Sequence, residues 1–300
     1  MSSSILCRLG HVASVAQLRD IGLTEARVRA AISRGEIVRL RRGTYGCAHL
    51  DSLTASAARV GGAVTCVSLL RESGVWAGHG MRAHLQLTPK TSHVSLEFLT
   101  ADGVTPRFHW ERPRFGMETP WRATRMQALW QAIRCLDEEN AIAALESAIH
   151  TGFLPLDDIL RLWQLAPRRL HEYCPDLVLI SGSGNETVVR LRLQRVGYRA
   201  EPQGAIPGLG HQDLVVNDCL GLEIDSRAWH AGDEQRAIDL DLDRDLHAAG
   251  LGRSTIRILP AHIHSSWPQT LAVIERAAAD AARDLERRRG RVVARVGECF

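Results

Sequence analysis

Lysine is almost missing from this chain: of the 37 basic residues only Lys90 is a lysine, and the others are arginines. The preference itself is the kind that genomic nucleotide bias produces, but it excludes chemistry that needs a lysine base away from position 90, because arginine does not deprotonate. Long apolar runs are missing too. No stretch approaches the roughly 18 consecutive apolar residues of a membrane span. The opening MSSSILCRLGHVASV has no basic region followed by a long apolar run, so a cytoplasmic protein without a membrane partner is expected. The seven cysteines (Cys7, Cys47, Cys66, Cys135, Cys174, Cys219, Cys299) stand singly, with no CxxC and no paired Cys/His spacing. That argues against a zinc knuckle or a disulfide framework and for reduced, packed thiols. Strong net charge is missing as well. At +3 the balance makes no global case for a nucleic-acid partner, which has to rest on where the charges lie.

What is present is ordinary globular composition, 45% hydrophobic and 24% charged, over 300 residues, more length than one typical domain needs. The expectation is an α+β multidomain chain in four segments. These are a winged helix-turn-helix (1–50), a mixed α/β middle region (51–175), an αβββαβ restriction-endonuclease-like fold (176–285) and a basic tail (286–300).

Residues SVAQLRDI place Val15, Leu18 and Ile21 on one helical stripe that stops at Gly22. Thr24 caps a second helix with Val28, Ala31 and Ile32 inward, Leu23 can staple onto Val28, and Gly35 ends it. IVRLRRGTYG then alternates apolar and basic residues and turns at Gly43, as a short two-stranded wing does. Arg27 and Arg34 lie off the apolar face of the second helix; Arg39, Arg41, Arg42 and Tyr45 cluster on the wing. Such a module puts its second helix in the major groove of double-stranded DNA and its wing arginines on phosphate or in the minor groove. The competing reading is a small helical domain with solvated arginines, or a winged helix used for protein contact. These residues, with Arg41-Arg42-Gly43-Thr44-Tyr45 as an RRGxY-like wing, resemble the N-terminal domain of the AbiEi-type antitoxins of type IV toxin-antitoxin systems. That resemblance implies a transcriptional autoregulator and a cognate toxin as partner.

In the middle, Leu53 to Ser73 reads as a helix pair, AHLQLTP, HVSLEFLT and PRFHWERP as strands, and RMQALWQAIRCL, ENAIAALESAIHTG and LDDILRLWQL as helices. Histidines and tryptophans are frequent here (His84, His93, His109, Trp76, Trp110, Trp121, Trp130), in no spacing that marks a ligand set, so packing is the expectation. The order of helices, strands, TPxRATR and ALESAIHTG is similar to the region after the wing in the same antitoxin-like proteins. PRRL at Arg168 and Arg169 reads as the link to the last segment.

The last segment poses the sharper question. In GHQDLVVNDCLGLEIDSRAWH two short apolar runs, each suited to a sheet, carry Asp213, Glu223 and Asp225, with His230 just beyond. Carboxylates in buried strands cost several kcal/mol unless paired or holding a metal. Asp213 shares a face with Val215, and Glu223 with Asp225. A hairpin through Asn217-Asp218 brings the three toward one end, and hard oxygen ligands suit Mg²⁺ or Mn²⁺. Upstream, Glu186 sits on the inward stripe of a helix from Asn185 to Val196. The competing reading has these acids pair with Arg190, Arg192 and Arg227.

The αβββαβ order is the layout of the PD-(D/E)XK nuclease superfamily. SGxNE, HQDLVV, EIDSRAWH and a charged helix ending in AAG resemble the domain related to very-short-patch-repair endonucleases over residues 178 to 280. The resemblance implies a metal-dependent endodeoxyribonuclease. In it Glu186 is the helix-borne acid, Asp213 the motif aspartate, and Glu223 and Asp225 the acids of the next strand. Trp229 and His230 fall where those nucleases carry a tryptophan and a histidine, and Asp239 and Arg244 in the charged helix. Two departures stand out: Gln212 replaces the motif proline and Asp225 its lysine. With no lysine in the segment, His230 is the candidate for general base or for transition-state stabilisation. The rival expectation is an inactive nuclease fold behind a DNA-binding regulator.

Overall fold

The structure, a computed structural model, describes residues 6–89, 106–224, 245 and 248–297. The sequence-read strand HVSLEFLT and the residues Asp225, Arg227, Trp229, His230, Asp239 and Arg244 lie outside them. The chain is mixed α and β, in two compact units: 1–137 with 153–167, and 138–152 with 168–300. Segment 138–152, grouped by sequence with the middle region, thus belongs to the second unit. No described helix is long and apolar enough to cross a membrane.

The first unit opens with β1 (Val12–Ser14), α1 (Val15–Asp20), α2 (Glu25–Ser33), β2 (Ile37–Arg41) and β3 (Thr44–Cys47), the strands lying in the order β1-β3-β2. Local chemistry sets each boundary. Ser14 and Gln17 form a reciprocal capping box on α1, and Thr24 Oγ1 accepts from Arg27 N at 3.4 Å to start α2. Gly22, Gly35 and Gly43 take the left-handed conformations that close the turns. Leu18, Leu23, Val28, Ala31, Ile37 and Cys47 form the core beneath. The other face of the hairpin packs Leu40 with Val12, Ala55, Ala58 and Trp121.

Helices α3 (Ser52–Val60), α4 (Cys66–Glu72) and α5 (Arg125–Cys135) follow with a five-stranded sheet. Its strands are β4 (Ala63–Val64), β5 (His84–Gln86), β6 (Arg107–His109), β7 (Met117–Thr119) and β8 (Arg122–Ala123), ordered β6-β5-β4-β8-β7.

The second unit is built on α6 (Glu138–His150), whose apolar residues alternate with Glu146 on a fully buried face. After α7 (Leu156–Gln164, part of the first unit) and α8 (Arg168–Tyr173) comes α9 (Gly184–Arg195). A four-stranded sheet follows, of β9 (Ala200–Ile206), β10 (Gly210–Val216), β11 (Leu220–Ile224) and β12 (Ser254–Ile258), in the order β12-β11-β10-β9. The first three form an antiparallel meander, and β12 runs parallel to β11. Asn217 and Asp218 both have positive φ, 47° and 63°, as the two-residue turn between twisted strands requires. Helices α10 (Pro260–His264) and α11 (Trp267–Gly297) close the described chain. Residues 286–297, read in the sequence as a tail, continue α11, in keeping with the helix propensity of their arginines.

Candidate functional site

The acid predicted on the helix is buried at the first turn of α9. Ser183 caps that turn by accepting from Glu186 N at 3.2 Å, which fixes where the Glu186 side chain leaves the helix. The carboxylate then folds back over the preceding loop: its Oε2 accepts from Gly182 N at 2.9 Å and from Gln203 Nε2 at 3.4 Å. Glycine at position 182 gives this approach room, since a Cβ there would stand 3.0 Å from Oε1. Asn185 beside it is held by His264 Nε2 at 2.8 Å.

Glu186 titrates above the ordinary carboxylate range, first because it is buried and second because the Asp213 charge repels its own. The two acids read separately from the sequence therefore lie near enough for the charge of one to act on the other. Gly182 N–H and the Gln203 amide lower the shift without cancelling it, and neither is a cation. A buried carboxylate facing a second carboxylate is the donor chemistry that a hard divalent cation relieves.

Asp213 and Glu223 lie on adjacent strands, where the Leu214↔Leu222 pairing sets them opposite each other. Asp213 Oδ2 also accepts from Ile224 N at 2.6 Å, so it ties the end of β11 in place. Glu223 is flanked on its other side by Arg257. The ligand atoms of Glu186, Asp213 and Glu223 are not among the described groups gathered within 4.8 Å of one another. Gln212, at the motif-proline position, is buried; its amide donates to Thr255 Oγ1 at 3.0 Å while its Oε1 has no partner. It crosses Gly221, where a Cβ would lie 1.8 Å from its nitrogen.

Two of the arginines that could instead have paired with the acids are engaged elsewhere, and the third, Arg227, lies outside the described residues. Arg190 pairs with Glu146 and Arg192 with Glu139, both on α6. Arg192 also stacks on Trp267. No protein-family model matches the chain, and a search of curated proteins returns no match.

In the first unit Arg27, Arg34, Arg39, Arg41 and Arg42 are all exposed, and Tyr45 is half-buried against the core. They are not equivalent. Arg34 is paired to Glu36 at 2.7 Å, and Arg41 lies over the Trp121 ring and donates to Thr44 Oγ1 at 3.2 Å. Arg27, Arg39 and Arg42 make no ion pair with another described residue.

His84 and His109, expected from the sequence to serve packing, fall in a group of side chains that could hold a metal. Cys66 opens α4, His84 lies on β5, His109 on β6, and Cys135 closes α5, and their ligand atoms all lie within 4.8 Å of one another. Burial raises the Cys66 thiol, while a hydrogen bond from Cys66 and the two histidines draw Cys135 well below the thiol range. A second trio, Cys7, His11 and Cys47, meets the same distance limit. No sequence signal marked either group, because the residues sit on separate elements and only the tertiary fold closes the separations.

Proposed function

We propose that this protein binds double-stranded DNA through a winged helix at its N-terminus and hydrolyses phosphodiester bonds with its C-terminal unit, as an endonuclease using Mg²⁺ or Mn²⁺. The observation that carries the reading is the placement of Asp213 on β10 opposite Glu223 on β11, with the buried Glu186 of α9 near enough to feel the Asp213 charge. The strand order β12-β11-β10-β9 with β11 and β12 parallel supports the αβββαβ nuclease topology. The order β1-β3-β2 behind the α1–α2 pair supports the winged helix.

In this reading Asp213, Glu223 and Asp225 hold the cation and Glu186 supports the group from the helix. A bound divalent cation lowers the pKa of water and offsets charge on phosphate oxygens. The chain's own residues do the rest. Arg27, Arg39 and Arg42, with Arg34, Arg41 and Tyr45 beside them, hold the duplex by its phosphates, so that part of the entropic cost of bringing phosphate to the acids is met by binding. His230 takes the proton of the attacking water, the role that the absence of lysine leaves to it.

The rival reading, a regulator with an inactive nuclease fold and a cognate toxin as partner, is favoured by Gln212 at the motif-proline position with its buried, unpartnered Oε1. Cleavage of duplex DNA in Mg²⁺ and Mn²⁺ by the protein and by Asp213→Ala and Glu223→Ala distinguishes the two. Loss of cutting by about a hundredfold or more with duplex binding retained is expected. Equal cutting by the variants, or duplex binding without any cutting by the unmodified protein, would sink the nuclease reading.

A further inference from the structure

Apart from the acids of the second unit, the first unit carries a close cluster of two sulfur and two nitrogen atoms. His84 Nδ1 lies 3.3 Å from Cys66 Sγ and 3.6 Å from Cys135 Sγ, and His109 Nε2 lies 3.3 Å from His84 Nδ1. Ligands at the usual zinc–sulfur and zinc–nitrogen lengths, set tetrahedrally, stand about 3.3–3.8 Å apart. All four atoms lie within 4.8 Å of one another, two from thiols and two from imidazoles, with no carboxylate among them. That donor set suits zinc and not a hard cation such as Mg²⁺.

The surroundings hold each ligand from an adjacent position. Thr65 precedes Cys66, Gln86 follows His84 by two residues, Glu111 follows His109 by two, and Gln131 lies one turn before Cys135. These four neighbours form one hydrogen-bonded network. Gln131 Oε1 accepts from Thr65 Oγ1, and its amide donates to Gln86 Oε1 and, at 3.2 Å, to Glu111 Oε1. Gln86 Nε2 in turn donates to His109 O at 2.9 Å. Thr65 occupies the N-cap of α4 yet makes no side-chain cap, its hydroxyl being directed to Gln131 instead. Cys66 holds φ at +52°, a conformation that a residue with a Cβ adopts only where its surroundings impose it. Local helix chemistry is thus set aside at Thr65 and Cys66, at the edge of the cluster.

We propose that Cys66, His84, His109 and Cys135 form a structural zinc site that ties α4 and α5 to strands β5 and β6. Both cysteines ligate as thiolates, the Cys66 proton passing to solvent on binding, and no ligand position is left open, so no catalysis is assigned to it. The site is independent of the nuclease reading and of its Mg²⁺ or Mn²⁺.

The test is metal analysis of the reduced full-length protein after dialysis against a weak chelator, followed by replacement with Co²⁺. About one zinc per chain is expected, with the cobalt form showing tetrahedral ligand-field bands and thiolate charge transfer. His109→Ala and Cys135→Ala, at the two half-exposed positions, should lose the metal at least tenfold with unchanged circular dichroism. Cys7→Ala, in the second cluster, should keep it. Should both site variants fail to fold, the cobalt spectrum of Cys7→Ala decides: thiolate charge transfer there supports the site, and its absence overturns it. A wild-type protein that holds no metal, full metal content in both folded variants, or a Cys66–Cys135 disulfide that excludes metal would also overturn it.

Discussion

Arg190 Nη2 donates to Glu146 Oε1 across 2.7 Å, with both side chains essentially withdrawn from solvent. Glu146 also accepts from Thr187 Oγ1 at 2.6 Å and Val178 N at 2.8 Å, so its oxygens are well supplied, while Arg190 Nε has no partner. The pair joins α6 to α9 and keeps Arg190 away from the acids one turn earlier at Glu186.

Breaking such a pair leaves a buried charge uncompensated. Glu146→Ala should therefore lower the stability of the second unit by about 3–5 kcal/mol, whereas a Glu146→Leu, Arg190→Met double replacement should recover most of the loss. Chemical denaturation followed by far-ultraviolet circular dichroism checks both; equal losses in the single and double variants would count against the ion pair.

Glu186 gives a pH dependence of determinate sign. Its folded pKa lies above the ordinary carboxylate value, because of burial and then Asp213, so the folded state binds more protons than the unfolded chain through that window. Stability contributed by protonated Glu186 is present at low pH and declines as pH rises from the ordinary value of 4.5 through the raised one. Glu186→Gln should flatten that decline and raise the melting temperature at neutral pH in metal-free buffer. A melting curve series from pH 4 to pH 8 that is unchanged by the substitution would contradict the coupling.

Asp213 has two functions that separate by substitution. Asp213→Asn keeps an oxygen for Ile224 N but removes the charge, so folding should be nearly unaffected and Mn²⁺ binding by calorimetric titration lost. Asp213→Ala should lose both, with the bond to Ile224 worth about 1 kcal/mol or somewhat more. Equal Mn²⁺ affinity in all three proteins would remove Asp213 from the metal site.

The wing arginines should differ in kind. Arg39→Ala and Arg42→Ala should each weaken duplex binding and lower the slope of log affinity against log salt by about 0.9 for each phosphate that is no longer neutralised. Arg41→Ala should act mainly on stability, because its guanidinium already lies over Trp121. Fluorescence anisotropy with a labelled duplex across a salt series reads these slopes, and identical slopes for all three variants would argue against the assignment.

Much of the local structure was legible in the sequence, because caps and turns are decided by adjacent residues. Thr24 caps the helix it precedes, Gly35 ends it, and Asn217-Asp218 turns the hairpin that carries Asp213 and Glu223. What lies far apart in the chain was decided by tertiary structure alone. The placement of α6 in the second unit depends on Glu146 finding Arg190 44 residues later. The gathering of Cys66, His84, His109 and Cys135 depends on two strands and two helix ends converging. Periodicity reports which face of one element is apolar, and capping reports where it stops. Neither reports which polar side chains on separate elements share one interior, because that is set by how the faces pack.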